Sequence, residues 1–229
     1  MSLSRALLRQ RVSGAIGLSN TAGGTEQLLI DGWLEEAVEQ FLIDTKCSID
    51  TASMSLTAGI GDYALPASAL AIQHLWIVAA DGTITILDPT STQDILERRR
   101  FGATGYGPQV YAVEGYDFLR IQPVAQSSSD VLHFDYVPAP GAWVSPTTLT
   151  PPFVPSWGHP AIEEYAKWKA ADWDDDTSSK IGERYQQGYQ VEVKKARMRL
   201  TRMAGKWGPA RIGKSSRRNI PARPGVDLG

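Results

Sequence analysis

The chain has 229 residues, of which 42% are hydrophobic and 21% charged, with a formal net charge of −2. This composition excludes fibrous and wholly disordered chains. At this length folding buries roughly 70% of the surface exposed by the unfolded chain, enough for a core that needs no metal or disulfide staple. The lone Cys47 has no internal disulfide partner, which fits a reducing compartment, and its place at the end of an apolar helical pattern predicts a small buried side chain.

The longest apolar runs fall far short of the 18 or so residues a membrane span needs. Arg5, Arg9 and Arg11 interrupt any secretory h-region, so neither membrane insertion nor secretion by that route is expected; a transit peptide is the alternative reading of this acid-free start. Charge is segregated along the chain. Residues 1–11 carry three bases and no acid, residues 12–193 nine bases and 24 acids, and residues 194–223 eleven bases and no acid. An acidic body with a basic arm implies an acidic partner, nucleic acid or protein, or else an arm that neutralises the body of its own or an identical subunit.

In chain order, residues 1–24 read as an N-terminal arm. A helix follows over Glu26–Thr45, with Thr25 as N-cap, a stripe of Ile30, Trp33, Leu34, Ala37, Val38, Phe41 and Leu42, and a solvated acidic face of Asp31, Glu35, Glu36 and Glu39. Residues 48–158 read as an inserted β region with a proline-rich return. Stretches rich in Ile, Val, Thr and Tyr predict strands near 50–57, 70–79, 83–87, 109–113, 117–122 and 130–137, with a short helix near 91–100. Asp81-Gly82 predicts a two-residue hairpin turn. Six prolines between 138 and 158 require an extended crossing.

Pro160, at a first helical position after His159 as N-cap, opens a helix with Ile162, Tyr165, Ala166 and Trp173 on its inner face. The clearest periodicity runs through Ile181, Tyr185, Tyr189, Val193, Ala196, Leu200 and Met203, one long amphipathic helix. Beyond Trp207 the composition of Gly, Pro, Arg, Lys and Ser predicts disorder in the isolated chain. The expected fold class is α+β: a helical core of one N-terminal and two C-terminal helices (25–47 and 159–206), an inserted antiparallel β region, and a basic C-terminal docking arm (207–229).

Catalytic motifs are weak. No nucleophile elbow surrounds a serine, His74 and His133 fall within strands, and neither a Walker sequence nor a strand-linked G-x-G-x-x-G is present. No cofactor is expected. Asp172, Asp174, Asp176 and Glu183 occupy positions 1, 3, 5 and 12 of an EF-hand-like loop, but Thr177 stands where the loop needs glycine. The competing reading makes Asp176 or Thr177 the cap of the long helix, with the acids at its positive end. The basic arm would bind nucleic acid through phosphates, although Trp207 alone offers stacking. An enzyme acting on carbohydrate through the β region is the remaining alternative.

The order of Glu26-Gln27-Leu28-Leu29-Ile30-Asp31-Gly32-Trp33-Leu34-Glu35-Glu36-Ala37, Gly61-Asp62-Tyr63-Ala64-Leu65-Pro66, Gly107-Pro108-Gln109-Val110-Tyr111, Leu119-Arg120-Ile121-Gln122-Pro123 and Tyr136-Val137-Pro138, followed by the closing helices, resembles the head-to-tail adaptor (connector) proteins of tailed bacteriophages. The resemblance covers about residues 25–206. It implies a non-enzymatic virion protein of the head-tail neck, made in the host bacterial cytoplasm. It also implies a ring of identical subunits, usually twelve, that docks on the portal protein, contacts a downstream tail or neck protein, and continues a channel through which DNA passes without sequence-specific binding. Under that resemblance Trp207, Ile212 and Ile220 are expected as apolar anchors on the portal, and Arg211, Lys214, Arg217 and Arg218 as partners for its acids.

Overall fold

The computed structural model describes residues 4–18, 24–101, 107–115, 118–141, 154–173 and 179–207. Its first element departs from the sequence reading: part of the expected N-terminal arm is a helix, α1 (Arg5–Ile16), capped by Ser4, whose hydroxyl accepts from the Leu7 N–H at 3.3 Å. Gly17 ends it in the left-handed region at φ 76°. Leu8 and Val12, one turn apart, are fully buried, so α1 belongs to the helical core, which has two N-terminal helices rather than one.

The second helix, α2 (Thr25–Thr45), has Gly24 as its N-cap, and Thr25 lies inside the first turn rather than capping it. Ile30, Leu34, Ala37, Val38, Phe41 and Leu42 are buried as the periodicity predicts. Its acidic face is not simply solvated, because α1 covers part of it. Asp31 is 15% exposed and accepts from both Arg5 and Arg9, and Arg5 Nη2 also reaches Glu35 at 2.7 Å.

After Lys46, in the left-handed region with its N–H on the Leu42 carbonyl at 2.8 Å, the chain builds two four-stranded sheets. The first has the order β1 (Asp50–Ser55), β8 (Val131–Pro138), β3 (Ala69–Val78), β4 (Ile84–Ile86) and is antiparallel throughout. The second has the order β2 (Asp62–Ala64), β7 (Phe118–Gln122), β6 (Val110–Glu114), β5 (Asp88–Pro89), with β5 parallel to β6. The expected antiparallel region is therefore mixed at one edge. Leu56, Leu75, Ile77, Leu119, Ile121, Leu132 and Phe134 form the core of this β unit.

The turn between β3 and β4 is longer than predicted. Ala79 N–H bonds to the Thr83 carbonyl at 2.9 Å, leaving Ala80-Asp81-Gly82 as a three-residue loop with Gly82 at φ 84°, the geometry of a type I turn closed by a glycine bulge. The short α3 (Thr92–Arg100) is capped by Ser91, which accepts from the Asp94 N–H at 3.1 Å. It packs beside β6 and β7.

Much of the proline-rich return, including 142–153, lies outside the described residues. The chain re-enters through a 3-10 turn (Ser156–Gly158) into α4 (His159–Trp173), where His159 is the first helical residue, fully buried, rather than a cap. A Cβ on Gly158 would stand 2.6 Å from the Phe41 ring, which is why glycine occupies the joint. Trp173 is 53% exposed instead of facing inward, because it sits at the helix end against Trp33, ring centroids 6.1 Å apart. The final helix, α5 (Ser179–Trp207), runs antiparallel along α4. Residues of α1, α2, α4 and α5 share one core, into which Val137 of β8 inserts. The fold is α+β, a helical core with a β unit inserted between α2 and α4.

Candidate docking surfaces

With 29 residues, α5 is the longest described helix, about 43 Å at 1.5 Å per residue, and it overhangs the 15-residue α4 against which it packs. Its apolar stripe is consequently buried only in the middle. Tyr189, Val193 and Ala196 are in the core, while Ile181 is 40% and Met203 47% exposed. Near the end of α2, Arg197 Nε donates to the Asp44 carbonyl at 2.6 Å, satisfying a helix-terminal acceptor and complementing its negative dipole. Arg199 lies over the Trp157 ring, 5.7 Å from its centroid. Lys194, Lys195, Met198 and Arg202 are exposed, and no acid follows Glu192 on the helix. The overhang is thus a basic surface studded with methionine.

A cleft of about 630 Å³ opens between α2, α4 and α5, lined by Gln40, Asp44, Tyr165, Trp168, Gln186 and Tyr189 among others. Its acid is engaged as an acceptor, Tyr189 donating to Asp44, and its other phenol, Tyr165, donates to Glu36 beside the cleft at 2.8 Å. Burial, reinforced by these carboxylates, pushes both phenols well above their ordinary range, so they remain neutral donors. Burial also acts to raise Glu36, but hydrogen bonds from Lys169 and Tyr165 outweigh it and hold the carboxyl below its ordinary value. Such a lining suits hydrogen bonding and ring packing with an inserted side chain.

Half of the candidate cation loop falls outside the described residues. Asp172 and Glu183 are exposed on α4 and α5, while Asp174 and Asp176 lie outside the described residues, within which no group of three or more His, Cys, Asp or Glu side chains gathers. Cys47 is half-buried against the helical core, its thiol pushed up by burial. His74 is exposed, His133 stacks on Trp76, and burial pushes His159 down so that it stays neutral. Trp207 ends α5, whereas Arg211, Ile212, Lys214, Arg217, Arg218 and Ile220 lie outside the described residues. The disorder expected beyond Trp207 and the caps Asp176 and Thr177 fall there as well. Sequence reasoning missed the ion-pair cluster under α1, where Arg11 meets Glu163 at 3.0 Å and Glu163 also accepts from Lys167. Its signal was available: Arg5 and Arg9 at i, i+4, with Leu8 and Val12 at the same spacing.

This helical core, with an inserted β unit and a basic terminal extension, has the element order expected of the adaptor proteins. The model of the SU10 adaptor protein family matches residues 5–213. The chain belongs to the SU10 adaptor protein family. That match begins at the first residue of α1 and runs beyond α5, so the adaptor region includes both termini of the helical core. A solved structure described as the neck of an empty GTA particle contains a chain 13% identical, aligned over 80% of this adaptor and 89% of that chain with a TM-score of 0.30. Likeness of that degree decides nothing further. No curated protein matches the chain.

Proposed function

We propose that this SU10 adaptor is a structural, non-enzymatic protein of the virion neck. It forms a ring of identical subunits, twelve in the family pattern, between portal and tail, and continues the DNA channel. Family membership over residues 5–213 carries the reading. Under this reading 25–47 and 159–206 build the ring core, with α1 (Arg5–Ile16) packed onto it within the N-terminal arm 1–24. The β unit within 48–158 faces the downstream tail or neck protein. Residues 207–229 dock on the portal, with Trp207, Ile212 and Ile220 as anchors and Arg211, Lys214, Arg217 and Arg218 pairing with acids.

The basic overhang of α5 supports this reading, since it carries bases and exposed apolar side chains past the helices that cover its middle. An acidic body suits a channel wall, because like charge lets phosphate slide without adhesion. The protein would be made in the host bacterial cytoplasm and end in the virion. Electron microscopy of the chain mixed with portal tests the reading. A ring capping the portal is expected with the full chain and not with a truncation after Lys206, whereas a ring that persists rejects the arm and the absence of any ring rejects the neck role.

The same basic overhang favours one second reading, a nucleic-acid-binding module. Tight, salt-dependent binding of mixed-sequence DNA by the monomer, lost on deleting 207–229, would select it.

A further inference from the structure

Among the described residues each of the two sheets has two free edges, and those of the second sheet are blunted by charge or proline. Strand β2 is three residues long, with Asp62 held by Arg99 at 2.8 Å. Strand β5 is Asp88-Pro89, a charge and a residue without an N–H. Strand β1 likewise leaves the backbone groups of Thr51, Ser53 and Ser55 on its free side, as the Leu56 N–H to Asp130 carbonyl bond at 3.0 Å sets the alternation, but the side chains at those positions are polar and offer no apolar face.

Strand β4 is as short as β2 but carries neither a charge nor a proline. Its sequence is Ile84-Thr85-Ile86, and the two isoleucines are 64% and 73% exposed. The bonds Ala79 N–H to Thr83 carbonyl and Leu87 N–H to Leu75 carbonyl fix the ladder, so the N–H and C=O groups of Ile84 and Ile86 point away from β3. Their side chains share a face with Val78 and Trp76, and Trp76 stacks on His133 at 5.5 Å. An uncharged, β-branched, exposed edge is a template for another strand.

Charge selects the occupant. The four strands of this sheet contain no lysine or arginine, and exposed Asp81 and Asp88 bracket β4. Antiparallel self-pairing of β4 would set Asp81 of one copy near Asp88 of the other, which is repulsive. A basic strand fits, and the chain carries one. Residues 210–220 contain no proline and no acid, and Ile212 stands between Arg211 and Lys214 as Ile84 and Ile86 stand between the two aspartates. We propose that the free edge of β4 takes up residues 210–220 of this chain as an added strand, with Ile212 on the isoleucine face and the bases toward Asp81 and Asp88. The inference goes beyond the neck reading and does not depend on it.

Residue-resolved hydrogen exchange on the full chain tests this without any portal, so its failure and that of the neck reading are separate. The Ile84 and Ile86 amides should exchange about tenfold more slowly in the natural chain than in the charge-reversed variant Arg211→Glu/Lys214→Glu/Arg217→Glu/Arg218→Glu. The protection should fall at about 1 M salt, where charges are screened beyond about 3 Å. A synthetic peptide of residues 208–229 added to that variant should restore it, and a scrambled peptide should not. Unprotected amides in the natural chain overturn the proposal. Protection that survives charge reversal also overturns it, since another occupant, such as a second copy, then covers the edge.

Discussion

Asp31 shows how much one side chain carries in this protein. It is 15% exposed and gathers Arg5 and Arg9, themselves 10% and 12% exposed, so its removal leaves two largely buried cations without their shared counter-ion. The substitution Asp31→Asn should cost about 2 kcal/mol, below the range of about 3 to 5 seen when one partner of a fully buried pair is lost, because water reaches this cluster; urea unfolding measures it. Gly158 is a second such residue. A methyl there would meet Phe41 at 2.6 Å and Val154 at 2.9 Å, both in the packed core, so Gly158→Ala should destabilise by about 1 to 3 kcal/mol through overpacking. Gly32, whose added Cβ would meet nothing within 4 Å, is the control; its replacement by alanine should be neutral or stabilising in a helix.

Among elements, α1 is the one held chiefly by charge. Leu8 and Val12 are its fully buried apolar residues, whereas Arg5, Arg9 and Arg11 bind acids on α2 and α4. Burial acts to raise Glu163, but Lys167 and Arg11 outweigh it and leave the carboxyl below its ordinary value. A lowered carboxyl contributes stability that is present above its unfolded value, about 4.3, and lost as pH falls through the folded one. Buried His159 is also shifted down, so its contribution is present above its unfolded value of about 6.5 and begins to fall below it. Acid should therefore act in two stages, a mild loss below about pH 6.5 and release of α1 below about pH 4. Hydrogen exchange along α1 across that range checks the order, and uniform loss over all helices would contradict it. Leu8→Ala should cost about 2 to 4 kcal/mol and loosen α1 at every pH.

The whole molecule is organised by the mismatch between a 29-residue helix and the shorter helices that cover it. The buried middle of α5 anchors it, and the exposed remainder projects a run of bases off an acidic body. If the arm docks on acids of the portal, association should weaken steeply with salt, while the fold, held by two apolar cores, should not. Parallel binding and thermal-unfolding curves from low to about 1 M salt distinguish the two; equal salt sensitivity would show that the fold itself is being measured.

The sequence by itself determined the α+β class, the span of α2, the short α3, the principal strands and the length of α5. Those follow from local periodicity, β-branched runs and turn residues, which act over a few residues whatever surrounds them. The segregation of charge was equally legible. Tertiary structure alone decided the rest. It made a helix of Arg5–Ile16, since two apolar residues are enough once α2 and α4 supply a surface and their acids neutralise its arginines. It exposed Trp173, Ile181 and Met203, because periodicity names a face but only neighbouring elements decide how far along that face burial extends. It paired the two- and three-residue strands β5 and β2, too short to leave a pattern. It also left Ile84 and Ile86 uncovered, because where a sheet ends depends on pairings between segments far apart in the chain.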